Sequence, residues 1–107
     1  MSRCRRCEPV AFEVRRAADL LERRWLLQVV VAAHAGAVRF NEFGEAVVGI
    51  SPRMLAARLR DLEQAGMIER TVIPDNSPPG VEYRLTERGR ALAPLVAALR
   101  QYAAVVL

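Results

Sequence analysis

VVGISPRMLAARLRDLEQAG, residues 47–66, decides the architecture. Ser51 followed by Pro52 is a strong helix start. The hydroxyl can accept a hydrogen bond from an unpaired N–H of the first turn, and the proline ring occupies a first position where no N–H is needed. From there Leu55, Leu59 and Leu62 recur at spacings of four and three, which is one apolar helix face, and Gly66 ends it after about four turns. The preceding VVGIS is short and contains Gly49, as the turn of a helix-turn-helix requires.

Downstream of Gly66 the period changes from helical to extended. MIERTVIP and VEYRLT read as two short strands, and the DNSPPG between them is a loop, with Pro74 and Pro79 excluding helix. A hairpin placed directly after a helix-turn-helix is a wing. Thr86 then caps one last helix with apolar Leu92, Leu95, Val96, Leu99, Tyr102, Ala103 and Val106, bent at Pro94. Upstream, Val14, Ala17, Ala18 and Leu21, then Trp25, Leu26, Val29, Val30 and Ala33, keep helical spacing. Glu22, Arg23 and Arg24 divide them into two helices, and Gly36 ends the second. RFNEFGEAVVG reads as a short third helix closed by Gly49. The expectation is a mainly α fold with a small β-hairpin, in the order of four helices, hairpin and helix. It forms one domain over residues 12–107 behind an N-terminal arm, 1–11.

The chain has 107 residues, 52% hydrophobic and 26% charged, which favours one compact domain with a modest core. All 16 basic residues are arginine, against 12 acidic ones, for a net charge of +4. Arginine's planar fork suits phosphate oxygens and guanine edges, so the surplus leans toward nucleic acid. A biased base composition in the gene would also produce it, and only the placement of the arginines separates the two. No run of about 18 apolar residues occurs, and the first 20 positions lack an apolar signal-peptide centre. The expected setting is cytoplasmic, with no membrane partner.

Enzyme chemistry lacks its parts. His34 lies in AAHAG without a local nucleophile pattern, and neither GxGxxG nor a P-loop is present. Asp61 and Glu63, two apart on a helix, point to different faces. Cys4 and Cys7 form CRRC, which is half a zinc site at most; His34 adds one further ligand, so no metal and no cofactor are expected. The pair is retained as a candidate thiol switch beside the simpler reading of two incidental thiols.

With Leu55, Leu59 and Leu62 set inward, Arg53, Ala57, Arg60 and Gln64 lie on the opposite face of the capped helix, and Met54 and Arg58 on its flank. A small residue between arginines leaves room to approach a major groove, with Arg available for guanine O6 and N7. A solvated charged face is the alternative, since Asp61 and Glu63 are near. Candidate DNA contacts are Arg39, Asn41, Ser51, Pro52, Arg53, Met54, Ala57, Arg58, Arg60 and Arg84. The apolar stripe of the last helix exceeds what so short a chain can cover. Val14, Leu21, Leu92, Leu95, Val96, Leu99 and Tyr102 are therefore expected to form a homodimer surface.

RFNEF, GISPRMLAARLRDLEQAGMIERTV and PPGVEYRLTERGRAL together resemble the HxlR family of winged helix-turn-helix transcription regulators, relatives of the MarR group, from about Phe12 to Tyr102. The resemblance implies a homodimer on an inverted-repeat operator in double-stranded DNA, contacted through the helix beginning at Ser51 and through the wing. The family's helix start matches Ser51, Pro52 and Arg53, its next polar position and Arg match Ala57 and Arg58, and its tryptophan matches Trp25 as a core residue. Several positions depart. Ala57 replaces the usual Gln, Glu22, Arg23 and Arg24 replace GGK, and Gly80 replaces a common wing Arg, a loss for which Arg39 and Arg84 compensate in part. The cysteine that some members use as a redox sensor falls at Phe12, and its neighbouring proline at Glu13, so that role does not carry over. A small-molecule effector is left open. The alternative from another class is a winged-helix module for protein assembly.

Overall fold

In the computed structural model, which describes residues 7–74 and 80–107, the elements are α1 (Phe12–Leu21), α2 (Leu26–His34), α3 (Phe40–Ala46), α4 (Pro52–Gln64), β1 (Ile68–Ile73), β2 (Gly80–Leu85), α5 (Glu87–Arg90) and α6 (Ala93–Val106). The Ser51 cap forms as expected: its Oγ accepts the Met54 N–H at 3.0 Å, and Pro52 opens the helix. Gly66 ends α4 with φ +76°, a left-handed conformation that a side chain would strain. Trp25 is the one non-glycine with positive φ among the described residues (74°). It turns the chain between α1 and α2, and its indole reaches to the Gly49 turn between α3 and α4.

The core is built around α2. Leu26, Val29, Val30, Ala32 and Ala33 are buried against Phe43 and Val47, against Leu55, Leu59 and Leu62 of α4, and against Met67, Ile68 and Val96. β1 and β2 pair antiparallel from Ile68 opposite Leu85 to Ile73 opposite Gly80. The DNSPPG loop expectation covers residues 75–80, of which 75–79, Pro79 included, lie outside the described residues, while Gly80 begins β2. A further bridge was not anticipated: Arg39 pairs with Glu82, and the Tyr83 N–H donates to the Val38 carbonyl at 2.7 Å. The wing is thereby tied to the residue that opens α3.

The single helix expected after Thr86 is two. Thr86 caps only α5, its Oγ accepting the Gly89 N–H at 3.2 Å. Pro94 has no N–H to donate to a carbonyl one turn back, so it sits in the first turn of a new helix rather than bending an old one. The apolar stripe divides as a result. Val96 is 2% exposed and belongs to the chain's own core, which corrects its assignment to a partner surface. Leu21 and Leu92 are half-buried against that core. Beyond Leu99 every residue is exposed, with Tyr102 at 58%. No residue of α1 is buried, and Val10, Phe12 and Val14 lie open. The radius of gyration is 16.5 Å, against roughly 13 Å for a compact domain of this length.

Candidate nucleic-acid interface

The candidate contact residues lie on the outward face of α4, at the start of α3 and on the wing. Arg53 lies in the first turn of α4 and Arg60 two turns on. Both are exposed, and neither takes part in an ion pair among the described residues. Ser51 and Pro52 are exposed at the helix entrance, Met54 and Ala57 are half-exposed, and Asn41 lies open in the first turn of α3. The positive end of the helix dipole, with a long cation in the first turn, suits a polyanion.

Arg58 is placed differently from its neighbours. Its Nη1 lies 3.2 Å from Asp61 Oδ2, its side chain is only 18% exposed, and its Nε is buried without an acceptor. The other oxygen of Asp61 holds Arg23 Nη1 at 2.9 Å, which joins α4 to the turn between α1 and α2. Arg58 is thus engaged within the protein, and the outward cations of α4 are Arg53 and Arg60.

At the start of α3, Glu42 Oε1 accepts the backbone N–H groups of Val38 (2.9 Å) and Arg39 (2.8 Å). These two bonds, the first from Val38, hold its carboxyl below the ordinary carboxylate range. The Arg39 guanidinium reaches instead to Glu82 of the wing, Nη2 to Oε2 at 3.6 Å. Arg84 places Nε at 3.0 Å and Nη2 at 2.9 Å from Glu82 Oε1. Arg39 and Arg84, 45 positions apart in the chain, are brought together by one carboxylate.

Arg70 was missed from the sequence. It is exposed on β1 opposite Tyr83 and, with Arg60, Ala56, Leu59 and Glu63, lines a cleft of about 330 Å³ between α4 and the wing. Its signal was the strand period: two residues from core-facing Ile68, Arg70 shares the face on which α4 lies. His34 Nε2 lies 3.1 Å from the Gly89 carbonyl and joins α2 to α5, so the lone histidine serves packing. Cys7 is exposed, and Cys4 lies outside the described residues. No group of three or more His, Cys, Asp or Glu that could hold a metal occurs among the described residues, and no helix of theirs is long and apolar enough to cross a membrane.

A capped helix with free outward arginines, preceded by a short helix and followed by a hairpin tied back to it, defines a winged helix-turn-helix DNA-binding protein. The chain belongs to the HxlR-like helix-turn-helix family, whose model matches residues 20–107. It is 39% identical over 88 residues to the uncharacterized HTH-type transcriptional regulator YvaP of Bacillus subtilis, covering 82% of this chain and 81% of that protein. To the HTH-type transcriptional regulator YodB of the same organism it is 43% identical over 76 residues, covering 71% and 67%. Two other relatives are longer: the chain spans 60% of one from Methanothermobacter thermautotrophicus and 64% of one from Synechocystis. The reduced form of Bacillus subtilis YodB superposes with a TM-score of 0.76 at 36% identity, over 89% of this chain and 92% of that one. A MarR-family regulator of Porphyromonas gingivalis superposes with 0.82 at 27% identity, over 96% and 100%. The chain is a DNA-binding transcriptional regulator, of a family of regulators and not of enzymes.

Proposed function

We propose that the chain, as one winged helix-turn-helix domain over residues 12–107, acts in the cytoplasm as a homodimer on an inverted-repeat operator in double-stranded DNA. The observation that carries this reading is the Ser51-capped α4, whose outward Arg53 and Arg60 have no partner within the described protein. Arg53 reads base edges from the first turn, while Arg39, Arg84 and Asn41 meet the sugar-phosphate backbone. The exposed apolar residues Val10, Phe12 and Val14 near α1, and Leu95, Tyr102 and Val106 of α6, supply the surface that a second copy covers. A dimer places two copies of α4 on successive turns of one duplex face, and half-site centres about 10 to 10.5 bp apart, or a multiple, follow from that geometry.

Footprinting across the promoter of the protein's own gene tests symmetry and target together. Two protected half-sites related by a dyad are expected, surviving excess unrelated duplex. A single asymmetric footprint, or protection that competitor abolishes, contradicts the reading and favours a module for protein assembly.

A further inference from the structure

Among the described residues, Glu82 is the one carboxylate within ion-pair distance of either Arg39 or Arg84, and it engages both. Its own side chain is 16% exposed, while the two guanidinium groups are 41% and 62% exposed. An acidic residue is thus less exposed than the two cations it joins. Glu42 does not compete for the Arg39 guanidinium, because its oxygen is bonded to backbone N–H groups. Arg84 donates Nε to Glu82 and sets Nη2 beside the same oxygen, while Arg39 Nη2 stands 3.6 Å from the other oxygen, an ion pair without a hydrogen bond. Each guanidinium has five N–H donors, so both retain outward ones. The backbone fixes the same grouping, since Arg39 and Glu82 form a bridge and Val38 accepts the Tyr83 N–H.

We propose that Glu82 is a positioning residue that holds Arg39 of the α3 start and Arg84 of the wing side by side as a preformed two-guanidinium clamp for DNA backbone phosphate. This rests on the reading that α3 and the wing face DNA. Without Glu82 the two side chains are free to sample many rotamers, and each phosphate contact must order them anew.

The test has a sign that simple charge opposes. Removing a carboxylate raises the net charge by one, and bulk electrostatics alone would then tighten binding to any duplex. Full-chain wild type, Glu82→Ala and Glu82→Gln are titrated by fluorescence anisotropy, at several salt concentrations, against an operator duplex and an unrelated one. Thermal unfolding reports whether each variant is folded, and the near-isosteric Gln variant keeps the shape of the strand. The expected result is three- to tenfold weaker binding of Glu82→Ala to both duplexes, with the salt slope reduced in magnitude by about one to two, since the slope follows the number of phosphates neutralised. Glu82→Gln falls between, and in an Arg39→Ala/Arg84→Ala background the Glu82 effect disappears. Equal or tighter binding with an unchanged or steeper slope overturns the proposal. The clamp is scored on the unrelated duplex, whereas the operator reading fails separately when wild type prefers neither duplex. Absence of binding to any duplex overturns both.

Discussion

Gly89→Ala is expected to destabilise the fold by about 3 kcal/mol or more, the upper part of the range for forcing atoms into a packed site. A β-carbon at Gly89 would fall far inside van der Waals contact with the Met67 carbonyl oxygen and 2.9 Å from a Leu85 methyl. The obstacle is backbone, and the Met67 carbonyl cannot withdraw cheaply because it accepts the Thr86 N–H at 3.0 Å. Gly89 also donates to the Thr86 cap and accepts from His34, while Thr86 Oγ donates to the Gly66 carbonyl. One glycine therefore lets α5 pack against the end of α4 and the base of the wing. Urea unfolding of wild type and variant measures the difference; a loss below about 1 kcal/mol would mean that α5 can shift away from Met67 without penalty.

Leu95→Glu combined with Tyr102→Glu is expected to abolish the proposed dimer and leave a folded monomer. The two positions are seven apart on α6, on one face, and at 41% and 58% exposure neither belongs to the core. Leu99 is avoided because it is half-buried beside Val31 and Ala32 of α2, where a charge would also damage the monomer. A buried apolar side chain contributes roughly 1.5 to 3 kcal/mol, and a twofold interface loses each one twice. Four such losses amount to at least a thousandfold in dimer affinity, at about 1.4 kcal/mol per factor of ten. Sedimentation velocity at micromolar concentration, with circular dichroism to confirm the fold, decides it. A variant that still sediments as a dimer places the interface elsewhere.

What the sequence made legible was local. Ser51 and Pro52 start α4, the leucines at four and three give its buried face, and Gly66 stops it; each is a statement about neighbours within one turn. The wing was legible for the same reason, in the change of period after Gly66. The Pro94 break was visible as a residue but misread, because a proline in the first turn of a helix and a proline bending one differ only in whether the preceding turn continues. Val96 was misassigned with it, since a long stripe does not say which half the core will take. Other features depend on pairs far apart in the chain. Asp61 joins Arg23 of the turn between α1 and α2 to α4, and Glu82 joins Arg39 to Arg84. Neither follows from periodicity, which places residues on a face but not against a partner from another element.

The central claim is that α4 reads the bases, and Arg53→Ala beside Arg39→Ala tests it most directly. Both variants are titrated against the operator, a set of single-base operator variants and an unrelated duplex, at several salt concentrations. Losing a bidentate guanine contact costs about 1 to 3 kcal/mol at one position, whereas losing a phosphate contact weakens all sequences alike and lowers the salt slope by about one. Arg53→Ala is therefore expected to flatten preference at one base pair in each half-site. Arg39→Ala is expected to weaken every duplex evenly and leave the preferences in place. If Arg53→Ala keeps the full set of base preferences, the helix that begins at Ser51 is not the reading element.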